Sequence, residues 1–151
     1  MNATDPTRLS SADYEAAAQL RMALRRFLSR SEQITRAHGL TPQRYQLMLL
    51  IKAAADQAAT VGELSRKLSI SQSGITQLVR RAEDLGLIRR QLSARDARVH
   101  PLRLTREGER RLAGAVAELG AERAALLSAL AEIEQGTDAS AIDSRARDRR
   151  D

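Results

Sequence analysis

A mainly α-helical fold with one small β-hairpin is what this sequence predicts, and three observations carry the prediction. Apolar residues recur every three or four positions over long stretches, the period that places them on one side of a helix. Residues that start and stop helices stand at the ends of those stretches. Residues 87–104 alone read as strand, polar turn and returning strand. Composition agrees: 42% of the 151 residues are hydrophobic, yet Tyr14, Phe27 and Tyr45 are the only aromatics. The core must therefore come from Leu, Ile, Val and Ala, which favours helices over a β-sandwich. The length suits one domain with a core that needs no metal or disulfide staple.

In chain order, residues 1–11 are polar, contain Pro6 and read as a flexible arm. A helix starts near Ser11 or Asp13 and stops at Gly39, with an inward seam of Ala17, Leu20, Leu24, Phe27, Ser31, Ile34 and His38 that calls for a partner helix. His38 could serve a ligand or a pH switch, but the simpler reading is a helix-end residue meeting free carbonyls. Thr41 as N-cap and Pro42 at the first helical position open a second helix to about Ala55. Tyr45, Leu47, Met48, Leu50 and Ile51 make it apolar on most sides, so it belongs at the centre. Residues 54–60 read as a linker of small side chains.

Thr60 and Glu63 stand in capping-box spacing before a short helix whose inward residues are Val61, Leu64 and Leu68. Ser71 is a good N-cap for the next helix and Gly86 a good terminator. Ile75, Leu78, Val79, Ala82 and Leu85 form its inward stripe, and Ser73, Thr76, Gln77 and Arg80 its outward face, with Arg81 on the flank. Such a face is either a solvated surface or one that can read a major groove. Past residues 87–92, 93–96 and 99–104, the hairpin with its turn, Thr105 caps a long helix to about residue 135. Leu112, Val116, Leu119, Arg123, Leu126, Leu130 and Ile133 give it a heptad-like seam broken only by Arg123. Gly114 and Gly120 mark a bend or a close crossing. Residues 136–151, with four arginines against four aspartates, read as a disordered tail, leaving any further helix missing or very short.

The sequence pI is near 10.8. Residues 86–111 hold eight arginines against Asp96, Glu107 and Glu109, a net +5 of the chain's formal +6. A partner that is a polyanion follows, nucleic acid or an anionic membrane surface. All eight cations are arginine, which suits bidentate phosphate contacts and entry into a narrow minor groove. Cysteine is absent, which excludes disulfides, thiol redox sensing and zinc-thiolate sites. No Gly-rich phosphate loop, metal-spaced acidic cluster or motif around the two histidines points to an enzyme. No cofactor is expected. The first residues lack a signal-peptide apolar core and the longest strongly apolar run, Leu47 to Ile51, is far too short for a membrane span, so the expected compartment is the cytoplasm.

Three stretches resemble the MarR-type winged helix-turn-helix transcriptional regulators. Asp96-Ala97-Arg98, followed by Leu104-Thr105 and Gly108, is similar to that family's wing signature and the helix start after it. Leu85-Gly86-Leu87-Ile88-Arg89 is similar to its recognition-helix exit, and Leu40-Thr41-Pro42 with Tyr45 and Leu49 to the opening of its second helix. The resemblance implies a winged helix-turn-helix with long N- and C-terminal dimerisation helices, residues 12–39 and 106–135, around a DNA-binding lobe at 41–105. It implies a recognition helix presenting Ser71, Gln72, Ser73, Thr76, Gln77, Arg80 and Arg81, and a wing with Arg95, Asp96 and Arg98, in which Arg98 enters the minor groove and Asp96 orients a wing arginine. It further implies a homodimer on a pseudo-palindromic operator in double-stranded DNA, acting as a repressor. A small lipophilic or anionic effector would meet Arg21, Arg25 and Tyr45, although three aromatics supply a stacking pocket thinly and a ligand-independent regulator stays open. The absence of cysteine rules out the family's peroxide-sensing thiol branch. The alternative function is an architectural or protein-interaction module that keeps the winged fold and binds DNA without sequence preference.

Overall fold

Local hydrogen bonding sets where each helix begins. In the computed structural model, which describes residues 9–92 and 99–147, with side chains up to residue 137 in the last helix, α1 spans Ser11–Ala37. Its cap is Ser10 rather than Ser11 or Asp13: the Ser10 amide donates to Asp13 Oδ2 at 2.7 Å and the Asp13 amide to Ser10 Oγ at 3.3 Å. The Ser10 hydroxyl, donating to Asp13 Oδ2 at 2.8 Å, and after it the Ser10 amide hold the Asp13 carboxyl below the usual carboxylate range. Gly39 ends the helix as expected, with its amide donating to Arg36 O at 2.9 Å and that of Leu40 to Thr35 O at 2.9 Å. Helix α2 (Pro42–Ala53) carries the Thr41 cap, and α3 (Val61–Leu68) the reciprocal Thr60–Glu63 box. Helix α4 (Gln72–Asp84) is capped by Ser71. Strands β1 (Ile88–Arg90) and β2 (Leu102–Leu104) pair antiparallel with Arg89 opposite Arg103, and Thr105 caps α5 (Arg106–Glu118).

Three expectations change. Residues 54–60 are not a plain linker: a 3-10 turn at Ala55–Gln57 leads to Ala59, which exchanges two backbone hydrogen bonds with Leu102 at 3.2 and 2.8 Å and extends the hairpin by a third short edge. Leu85 is not inward but 51% exposed, because α4 ends at Asp84 and the chain turns there. The long final helix is two helices, α5 and α6 (Gly120–Arg147), and residues 136–147 continue α6 where a disordered tail was expected. A count of large apolar residues passed over Ala139, Ala141 and Ala146, which stabilise a helix without a core to bury. Residues 1–8 and 148–151, the rest of the expected arm and tail, lie outside the described residues.

The chain divides into two units, Glu32–Leu119 and Met1–Ser31 with Gly120–Asp151. In the first, α2 is central and touches α3, α4, α5 and β2. Leu47, Met48 and Ile51 of α2 pack with Leu64, Ile75, Val79, Leu87, Leu102 and Leu112 in one buried cluster. In the second unit Arg30 Nε donates to Glu122 Oε1 at 3.1 Å, beside a shallow groove lined by Ala23, Arg26, Phe27, Leu126 and Ala129. Of the expected α1 seam, Ile34 is buried and Phe27 half-buried, whereas Ala17, Leu20 and Leu24 are exposed.

The junction of α4, β1 and α5 is the tightest point of the fold. Gly86 adopts φ +67°, its amide donating to Glu83 O at 2.8 Å and that of Leu87 to Ala82 O at 2.9 Å, a glycine helix stop. Thr105 then locks onto it: Oγ1 donates to Gly86 O at 2.5 Å and its amide to Leu87 O at 3.0 Å. Gly108 lies directly against that turn, and a Cβ there would sit 2.1 Å from the Leu87 carbonyl oxygen.

Candidate nucleic-acid interface

Helix α4 is anchored from below by the fully buried Ile75, Val79 and Ala82, with Leu78 half-buried beside them. Its other side, with Ser71, Gln72, Ser73, Thr76, Gln77, Arg80 and Arg81, is exposed throughout. At 1.5 Å per residue the helix is about 20 Å long, a rod that a major groove admits. Ser71 Oγ accepts from the Gly74 amide at 3.1 Å and lies 3.1 Å from Ser73 Oγ, while Thr76 Oγ1 donates to Gln72 O at 2.8 Å. Ser71 is thus engaged in capping and Thr76 keeps only acceptor capacity. Gln77, Arg80 and Arg81 have no partner among the described residues and are free to donate.

The basic hairpin region is less free than its composition implied. Arg90 Nε donates to Glu83 Oε1 at 3.1 Å, and an Arg103 terminal nitrogen to the Asp56 carbonyl at 2.6 Å. Arg110 and Arg111 both bond Glu107, at 2.7 to 2.8 Å. Those hydrogen bonds, from Arg110 first and Arg111 next, hold the Glu107 carboxyl down to about 2. Lys52 is likewise tied to Glu109 at 2.7 Å. Of the described arginines counted between residues 86 and 111, only Arg89 and Arg106 lack such a partner. Arg95, Asp96 and Arg98 lie outside the described residues.

Sequence reasoning missed Arg66 and Lys67, exposed in the last turn of α3. After the Thr60 amide's hydrogen bond, their charges help to lower the Glu63 carboxyl, but their side chains form no hydrogen bond or ion pair among the described residues. Two adjacent cations directly before the turn into α4 were the available signal. His38 does not serve free carbonyls: Nε2 is 2.8 Å from Glu118 Oε2, and its ring packs on Gly114, where a Cβ would approach within 2.7 Å. Gly114 is therefore the close crossing and Gly120 the break between helices. Arg21 and Arg25 are exposed in one unit, and Tyr45 packs against the core of the other. Among the described residues no group of His, Asp or Glu is placed to hold a metal, and no helix is long and apolar enough to cross a membrane.

A buried-backed helix, the tight turn before it and the hairpin after it form a winged helix-turn-helix, and residues 38–99 match the family model described as MarR family. Residues 38–99 are thus similar to the winged helix of the MarR family. That family comprises transcription regulators rather than enzymes. AbsC, a MarR family transcriptional regulator from Streptomyces coelicolor, superposes with a TM-score of 0.69 at 20% identity, over 94% of this chain and 97% of its own. YusO from Bacillus subtilis gives 0.59 at 26% identity, over 92% and 99%. A MepR mutant from S. aureus, bound to an oligodeoxyribonucleotide, gives 0.63 at 18% identity, over 87% and 96%. No curated protein matches the sequence. The fold of the MarR-family regulators thus extends over most of the chain, beyond the segment that the family model covers.

Proposed function

We propose that the chain is a homodimeric, sequence-specific DNA-binding transcription regulator acting as a repressor. The observation that carries this reading is the outward face of α4, where exposed Gln77, Arg80 and Arg81 have no internal partner on a helix locked into the core. Ser73, Gln77 and Arg80 read base edges, Thr76 accepts from them, and Arg81, Arg89, Arg66 and Lys67 meet phosphates. Arg98 of the wing enters the minor groove and Asp96 orients a wing arginine. The DNA-bound relative supports the partner.

Dimerisation is supported by apolar side chains that one chain leaves uncovered: Leu20 and Leu24 of the seam, at 39% and 37% exposure, with Met22 and Leu28 on α1 and Leu127 on α6. A two-fold protein on DNA calls for a pseudo-palindromic operator with half-sites about 10 bp apart. A small lipophilic or anionic effector relieves repression by binding at the exposed Arg21 and Arg25, one helical turn apart on α1.

The test is selection: purified protein is mixed with fragmented genomic DNA at near-physiological salt, and the bound fragments are sequenced. The expected result is a two-fold symmetric motif. Capture without any shared motif, with a steep salt dependence, would replace the regulator by an architectural protein that binds DNA without sequence choice.

A further inference from the structure

We infer that Glu83 and Arg90 form a strut that sets the angle of the wing to the recognition helix, so that the two DNA-contacting elements move as one body. Resting on the DNA-binding reading, this assigns Arg90 a positioning role instead of a phosphate contact. Glu83 lies in the last turn of α4 and Arg90 is the final residue of β1. Their side chains meet at 3.1 Å with 28% and 40% of their surface exposed. Between them the backbone is held at the Gly86–Leu87 turn by the bonds from Thr105 and the contact with Gly108, and Leu87 and Ile88 are buried in the core while β1 pairs with β2.

These anchors hold the start of β1 and, through β2, its ladder, whereas the exposed Arg90 end meets α4 through one side-chain bond among the described residues, the Glu83–Arg90 pair. The ion pair thus adds a direct attachment to the recognition helix three residues further along the strand, toward the wing. Charge logic points the same way: Arg89, one residue earlier, has no carboxylate, whereas Arg90 is matched to an acid that the neighbouring helix supplies. An arginine meant for phosphate gains nothing from an internal carboxylate, since that neutralises the charge on which counterion release depends.

Charge exchange tests the strut, with Glu83→Arg, Arg90→Glu and the double exchange compared on the selected operator and on an unrelated duplex of equal length. Each single variant is expected to reduce the preference for operator by about tenfold, and the double exchange to restore most of it. Failure of the exchange to restore preference, with Arg90→Glu weakening both duplexes alike, would make Arg90 a phosphate contact and overturn the proposal.

Glu83→Gln keeps the shape and serves if the reversals melt early. It is expected to lower preference with an unchanged salt slope; a slope steeper by about 0.9, one extra phosphate contact, would show that Glu83 merely sequesters Arg90. Wild-type protein and Arg80→Ala run in parallel. Absence of operator preference in the wild type defeats the DNA reading itself, whereas preference that Arg80→Ala alters and the Glu83 and Arg90 variants do not defeats only the strut.

Discussion

Two arginine pairs, Arg80-Arg81 on α4 and Arg110-Arg111 on α5, are identical in sequence and opposite in circumstance. Glu107 stands three residues before Arg110 and four before Arg111, on the same helical face, and bonds both. The residues three and four places before Arg80 are Gln77 and Thr76, and before Arg81 they are Leu78 and Gln77, none of them acidic. Glu83, three residues after Arg80, is already held by Arg90. Counting charge along the chain made residues 86–111 the basic region. Among the described residues, pairing shifts the available charge toward α3 and α4, where Arg66, Lys67, Arg80 and Arg81 form no side-chain hydrogen bond or ion pair.

Four tests break or sharpen this contrast, the largest expected effect first. Gly108→Ala attacks the junction that holds both helices in place. A methyl group 2.1 Å from a carbonyl oxygen has nowhere to go, and a loss of roughly 3 kcal/mol, on the order of 10 °C in melting temperature by calorimetry, is expected. A thermal midpoint equal to wild type would mean that α5 packs differently.

Arg80→Ala is expected to cost ~1 to 3 kcal/mol on the operator and to relax selectivity at one base position, read by titration of single-base operator variants. A uniform loss over all sequences would make Arg80 a phosphate contact. Next in size, Arg81→Ala should lower the slope of log affinity against log salt by about 1, while Arg110→Ala leaves it as it was. Equal effects from the two would erase the distinction between free and paired arginines.

The smallest effect concerns acid stability. The folded Glu107 carboxyl titrates at about 2 against its ordinary 4.5, so its stabilising contribution is complete above about 4.5 and fades as pH falls toward 2. Glu107→Gln should flatten the stability profile over that window, followed by urea denaturation at stepped pH. A profile as steep as that of the wild type would place the acid sensitivity elsewhere.

The parts of the molecule legible in the sequence are those governed by local rules. Thr41, Thr60, Ser71 and Thr105 all cap helices, and Gly39 and Gly86 end them, because each needs only its own three or four neighbours. The outward face of α4 follows from helical period alone. What escaped reading depends on distant partners. Ala59 joins Leu102 across 43 positions, and nothing in a run of alanines announces a strand edge. Glu118 takes His38 from 80 residues away, and Asp56 offers Arg103 a carbonyl from 47. Arg103 belongs to this second class, whereas Glu107 stood within helical reach of Arg110 and Arg111, a local pairing that a count of net charge passes over.

The sealed junction at Gly86, Thr105 and Gly108 has a consequence for engineering. Gln91 and Pro101 are joined by a 2.8 Å backbone hydrogen bond just beyond the β1–β2 ladder, so any segment spliced between them starts and finishes at fixed points. Closure entropy rises by only about 0.6 kcal/mol for each doubling of length. The hairpin end is therefore a cassette, open to grafted segments of other lengths and chemistries while α4 stays where it is.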